Sequence, residues 1–196
     1  MVRINVTLTS YIFFLFIFNK SINAQSKNIP DNLPLHTKIL WGENGILRKI
    51  NFIPKNRNAE LRLRVQMLQL HQKLSFGTML LFGYQSYLGN QMVNGDYSKH
   101  DLHSSLSRYV WSSYMISAGL SYLAPPALKY SKRKDSMTFH RYLSWLHFSG
   151  MAIIPYLGYN IHNAPNYDDA VKLHQKVAVG TFSCMLISAL LSFLPY

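Results

Sequence analysis

Charge is missing from this sequence in long blocks. Lys, Arg, Asp and Glu crowd into connecting stretches, and four runs carry no acidic residue at all: 61–88, 103–124, 138–159 and 170–194. Each is about 20 residues or more, the length a helix needs to cross a hydrocarbon core of roughly 30 Å. Charge is costly inside hydrocarbon, so a chain that confines it to connections reads as membrane-spanning. Only 14% of the 196 residues are charged, against roughly 25% in soluble domains. A soluble four-helix protein is the competing reading. The uncharged stretch from Val177 to the last residue argues against it.

The net charge of +12 comes from two clusters beside apolar runs. Arg48, Lys49, Lys55, Arg57, Arg62 and Arg64 precede the apolar part of the first run, Leu74 to Leu88, and Lys129, Lys132, Arg133 and Lys134 precede the third run. Basic residues so placed suit lipid headgroups. A nucleic-acid binder would instead show a basic face on a soluble fold, so no nucleic-acid partner is expected.

Residues 1–24 read as a signal peptide. Arg3 gives a basic start, Tyr11 to Phe18 an apolar core too short to span comfortably, and Ala24 a small residue before Gln25. An uncleaved anchor is the alternative. Residues 25–58 are polar and hold Pro30, Pro34, Pro54 and the turn-like segment Trp41 to Gly45. They read as an extended extramembrane arm, with Trp41 and Ile46 docking on the membrane interface or the bundle. Residues 59–196 then form an all-α, up-down bundle of four transmembrane helices. Gly89-Asn90 stops the first helix and Pro125-Pro126 the second; Pro155 is a kink in the third, and Asp168-Asp169 cap the fourth. The serine-rich second helix bonds within the bundle. The signal places the arm outside the cytoplasm, whereas its basic residues favour the inside, which leaves sidedness open. The lone Cys184 excludes an internal disulfide and CxxC chemistry.

Each helix has a histidine near where its apolar run begins: His71, His103, His140 and His174. In an up-down bundle, His71 and His140 start on one side, and His103 and His174 on the other. The chain thus offers two histidine pairs, one near each face, as bis-histidine haem iron requires. Gly77, Gly119, Gly150 and Gly180 lack side chains and can admit a flat macrocycle. Arg108 suits a propionate or a lipid headgroup. His147 follows His140 by seven residues, so either is the candidate metal ligand on the third helix. Leu70 to Thr78 also matches Leu173 to Thr181 at six of nine positions. With no HExxH and no acidic residue in the runs, zinc hydrolysis and di-iron carboxylate chemistry have no support. No P-loop, GxGxxG or GxSxG pattern occurs.

Three segments carry a family resemblance: Leu70-His71-Gln72 with Gly77; Phe139-His140 with His147, Gly150 and Pro155; and His174-Gln175 with Gly180. Over about residues 40–190 the chain resembles the cytochrome b561 class of dihaem membrane cytochromes. More narrowly, it is similar to signal-bearing, b561-like proteins of Bacteroidetes-type bacteria, on Trp41 to Gly45, Arg48, Met67 to Gln72 and Ala124 to Pro126. The resemblance implies a multi-pass protein of the bacterial inner membrane, with one or two haem b groups. His71 with His140 or His147, and His103 with His174, are then the axial ligands. It implies a membrane-bound oxidoreductase acting as an electron carrier, with a quinol or soluble donor and an unspecified acceptor. The alternative is a non-haem membrane scaffold or assembly subunit, whose histidines only bond between helices.

Overall fold

The computed structural model describes residues 29–30, 32–54, 56–130 and 135–194. The expected signal peptide, Lys55 and the basic run from Lys132 to Lys134 lie outside them. The described residues are helical, with no strand among them: α1 (Leu35–Trp41), α2 (Ile46–Lys49), α3 (Arg57–Val93), α4 (His100–Tyr122), α5 (Ser136–Asn160) and α6 (Tyr167–Leu191). Two compact units result. Among the described residues, one holds those up to Met67 together with Tyr122–Tyr130; the other holds Leu68–Ser121 and those from Asp135 onward.

The first unit corrects the expectation of an extended arm, since residues 35–49 contain α1 and α2. The unit is organised by the stretch after α4. Pro125-Pro126 cannot continue a helix, which leaves carbonyls there without backbone partners. Side chains take them. Trp41 Nε1 donates to Leu123 O (3.1 Å), Arg64 Nη1 to Pro125 O (2.6 Å), and Arg57 Nη2 to the carbonyls of Pro126 and Ala127 (2.9 Å each). Trp41 is buried for this purpose, whereas Ile46 is half exposed. Gly45 lets the turn after Trp41 close, because a Cβ there would meet Leu40 O at 2.5 Å. Glu60, 1% exposed, accepts from Arg48 Nη2 at 2.9 Å and Arg57 Nη1 at 2.7 Å. Arg48 Nε also donates to Trp41 O. Two cations thus share one buried carboxylate, and Arg48 Nη1 and Arg57 Nε are buried without hydrogen-bond partners.

In the second unit α3 and α5 run past their expected ends, whereas α4 and α6 stop two and three residues short of theirs. α3 continues through Gly89-Asn90 to Val93 and stops at Gly95, whose φ of +100° only glycine adopts readily. α5 runs through Pro155 to Asn160. Asp135 caps α5, its Oδ1 accepting from Thr138 N (2.8 Å) and Oγ1 (2.9 Å). The cap of α6 is Asn166, not the expected Asp168-Asp169, which occupy the first turn. Asn166 Oδ1 accepts from Asp169 N at 3.2 Å.

Small polar residues share the interior with Phe82, Leu88, Val110, Met151 and Met185. Thr78, Ser117, Thr181 and Ser188 are buried, while Leu80, Trp145, Tyr156, Val179 and Leu190 are exposed. Ser75 Oγ meets Ser117 Oγ at 2.7 Å, and Thr78 Oγ1 donates to Ser113 Oγ at 3.0 Å, joining α3 to α4. Phe82 and Phe182 join α3 to α6 edge to face at 5.4 Å. Gly150 of α5 lies directly against Thr181 of α6. Among the described residues α6 is the one helix long and apolar enough to cross a membrane. Serine, histidine, glutamine and asparagine hold the other long helices below it. Four long helices are therefore present, and length and composition alone mark one as a span.

Candidate paired-histidine site

Every histidine placed at the start of an apolar run lies in the second unit, and helix packing sorts them into pairs. His103 and His174 have ring centroids 6.5 Å apart at an interplanar angle of 72°. His71 and His140 interact electrostatically with each other, and both interact with His147. The two pairs occupy different levels of the bundle. His71 contacts Ser117 of α4, whereas His103 contacts Gln85 of α3, fourteen residues further along α3 than His71. Fourteen helical residues span about 21 Å.

The anchoring repeats. His71 Nδ1 is 2.9 Å from Ser117 O, and His140 Nδ1 is 2.8 Å from Ser188 O. Each serine hydroxyl returns a bond to the carbonyl of its histidine, at 3.1 Å and 3.3 Å. His103 Nδ1 lies 3.2 Å from Gln85 O, and Gln85 Nε2 donates to His103 O at 2.9 Å. His174 Nδ1 is buried and directed toward Ile154 without closing a hydrogen bond. A carbonyl only accepts, so the three bonded imidazoles carry hydrogen on Nδ1 and leave Nε2 with a free lone pair. That is the tautomer a metal ligand needs.

The spacing shows an internal match. His71, Gln85 and Gly89 of α3 correspond to His140, Ile154 and Gly158 of α5; His103 and Ser117 of α4 correspond to His174 and Ser188 of α6. Gly89 and Gly158 each seat an imidazole. A Cβ there would lie 3.1 Å from Cε1 of His103 and His174 respectively. Sequence reasoning takes Gly89 only as a helix stop and does not reach Gly158, although their shared distance of eighteen residues from His71 and His140 is visible in the chain. The Leu70 to Thr78 and Leu173 to Thr181 likeness marks a different correspondence. Both segments end in a buried threonine that meets a neighbouring helix, Thr78 at Ser113 and Thr181 at Gly150.

The other expected residues divide. Gly77 and Gly180 are exposed, and Gly77, Gly119 and Gly180 all have open space where a Cβ would stand. Gly150 does not offer a groove for a macrocycle, because Thr181 already fills the space above it. Arg108 is exposed and takes no part in the histidine hydrogen bonds. His147 Nδ1 meets Tyr114 Oη at 2.6 Å rather than a carbonyl. His100 and His162 also approach, at 6.4 Å, but both are exposed, and His100 Nδ1 pairs with Asp101 at 3.2 Å.

Among the described residues no group of three or more His, Cys, Asp or Glu side chains gathers to hold a metal ion. The site offers imidazoles two at a time. Such a donor set suits a metal that brings its own equatorial ligands, and gives a bare ion too few. No protein-family model matches the chain, and no curated protein or solved structure matches it either.

Proposed function

We propose that this chain is a multi-pass protein of the bacterial cytoplasmic membrane that holds b-type haem between paired histidines and carries electrons. The observation that carries the reading is the His103–His174 pair. Imidazoles on opposite sides of one metal, with metal–nitrogen bonds of about 2.0–2.1 Å, have centroids about 6.4 Å apart. These two stand at 6.5 Å, partly buried in the bundle. The solvent-exposed His100–His162 pair shares the spacing but lacks the burial and the carbonyl anchor that His103 has.

His71 and His140 form the second axial pair. The internal match makes His140, not His147, the counterpart of His71, and a serine carbonyl prepares the two alike. When bound, the haem iron supplies one-electron redox chemistry. The chain's own groups orient the imidazoles, keep their Nε2 atoms unprotonated and exclude water.

The membrane reading draws on the exposed apolar surface. Large apolar side chains lie exposed on all four long helices, while Thr78, Ser117, Thr181 and Ser188 are buried beside Phe82, Val110, Met151 and Met185. In water that much exposed apolar surface is a liability; in lipid it is the favoured arrangement, with small polar residues bonding between helices. α4 and α5 therefore span as members of a bundle, with α3 and α6 beside them. A quinol or a soluble reductant is the donor class.

The test is the reduced-minus-oxidised optical spectrum of detergent-purified protein made with ample haem supply, together with haem per polypeptide. Two haems per chain, falling to one in His71→Ala and one in His174→Ala, are expected. Protein without haem under those conditions would turn the assignment to a membrane scaffold, in which the same hydrogen bonds only tie helices together.

A further inference from the structure

The first unit repeats one pattern on its outer surface. In α1, Leu35 and Ile39 are exposed and the exposed Lys38 lies beside them. At α2, Ile46 and Ile50 are exposed and the exposed Lys49 lies beside them. The spacing is the same in both: an aliphatic residue at i and i+4, a lysine at i+3. Residues four apart share a helix face. Ile50 N donates to Ile46 O at 3.1 Å, so the turn that aligns the second pair is closed. Leu35 is 74% exposed and Ile50 62%.

The other face of each helix is tied inward. Thr37 and Trp41 of α1 are buried, and Trp41 Nε1 donates to Leu123 O. Arg48 of α2 turns in to Glu60 and to the carbonyl of Trp41. These bonds fix which side of each helix faces out, so the aliphatic pairs cannot roll into the unit. In water such a surface is a liability.

Charge complementarity identifies the cover. Among the described residues of the unit, the exposed cations are Lys38, Lys49, Arg62 and Lys129, and Glu43 is the one exposed acid. Aliphatic side chains edged with lysine suit the boundary between acyl chains and headgroups. The aliphatic tips enter the chains, and the ammonium groups stay among the phosphates. Chain continuity favours lipid over an acidic protein, because α3 begins in this unit at Arg57 and continues as a long helix of the second.

We propose that α1 and α2 dock on a bilayer surface rich in acidic phospholipid, with Leu35, Ile39, Ile46 and Ile50 among acyl chains and Lys38 and Lys49 on lipid phosphates; this rests on the membrane reading above.

The experiment measures depth. The full chain, with Cys184→Ala and a single nitroxide-labelled Ile39→Cys or Ile50→Cys, is placed in liposomes of phosphatidylethanolamine and phosphatidylglycerol. Paramagnetic resonance then compares collisions with oxygen, which concentrates in acyl chains, and with a nickel chelate, which stays in water. Both labels are expected to be open to oxygen and shielded from nickel. A label at Asn44→Cys, in the exposed turn between the helices, is expected to stay open to nickel. Lys38→Glu with Lys49→Glu, or liposomes of phosphatidylcholine alone, are expected to shift the two immersed labels toward nickel. Labels open to nickel in the acidic liposomes overturn the docking, and a depth indifferent to lysine and lipid charge overturns the acidic lipid as its partner. Shielding from both reagents means cover by protein, a second copy or the chain's own first residues, and overturns it as well. Each of these leaves the membrane reading standing, whereas a chain that stays in solution without detergent overturns both.

Discussion

His140 Nδ1 lies 2.8 Å from the carbonyl oxygen of Ser188, and the Ser188 hydroxyl reaches back to the carbonyl of His140 at 3.3 Å. The Ser188 hydroxyl also lies 3.0 Å from His140 Nδ1, but the shorter contact is to the backbone carbonyl, and removing the serine side chain leaves that anchor in place. Ser188→Ala is expected to cost about 1 kcal/mol, the net worth of one buried hydrogen bond, with haem content unchanged. Ser188→Leu, which overfills a fully buried site, is expected to displace His140 and, on the proposed haem reading, remove one haem. Thermal unfolding and haem per polypeptide check both. Haem loss in the alanine variant would show that the hydroxyl, not the carbonyl, sets the ligand.

Gly158 and Gly89 seat imidazoles, whereas Gly77 faces open space. Gly158→Ala and Gly89→Ala each put a methyl 3.1 Å from an imidazole carbon and push the ring outward. Both are expected to lower occupancy of the His103–His174 site, with Gly77→Ala as the silent control. The visible spectrum of the three purified variants decides it, and equal spectra would refute the seating role.

Glu60 is the counter-charge for Arg48 and Arg57 in the first unit. Breaking a buried pair from one side strands the other charge. Glu60→Ala is therefore expected to destabilise by about 3–5 kcal/mol, and Arg62→Ala, exposed on the same helix, by less than about 0.5 kcal/mol. Circular dichroism of thermal unfolding in detergent measures the difference. Similar values for the two variants would remove Glu60 from its structural role.

Asp135 is held below the usual carboxylate range by the Thr138 hydroxyl and by the Thr138 amide. A depressed carboxyl favours the folded state above its unfolded value and loses that contribution as pH falls through the folded one. The N-terminal turn of α5 is accordingly expected to loosen in acid, below the ordinary carboxylate range. Asp135→Asn, which still accepts from the amide but does not titrate, is expected to abolish that part of the acid sensitivity. Hydrogen exchange at Thr138 and Phe139 across acidic pH reads it. Identical pH profiles for wild type and variant would assign the loosening elsewhere.

The helices were legible because their signal is local. Uncharged runs, Pro125-Pro126 and the polar connections appear in the chain itself, and the long helices fall within a few residues of the expected spans. Capping was less legible. Asn166 and Asp169 compete for the start of α6 at similar local cost, and Asn166 becomes the cap. The arm was misjudged because Trp41 finds its partner at Leu123, 82 residues along the chain.

By itself, the sequence determined an all-helical chain with a histidine near the start of each apolar run. Helical periodicity and the cost of exposed backbone fix that much without reference to distant contacts. Tertiary structure decided what each histidine touches. Ser117, Ser188 and Gln85 supply carbonyls, Gly158 and Gly89 supply room, Thr181 closes the space at Gly150, and Tyr114 claims His147. Those partners sit on neighbouring helices, and which face of one helix meets which face of another is set by packing, a property no single stretch of sequence contains.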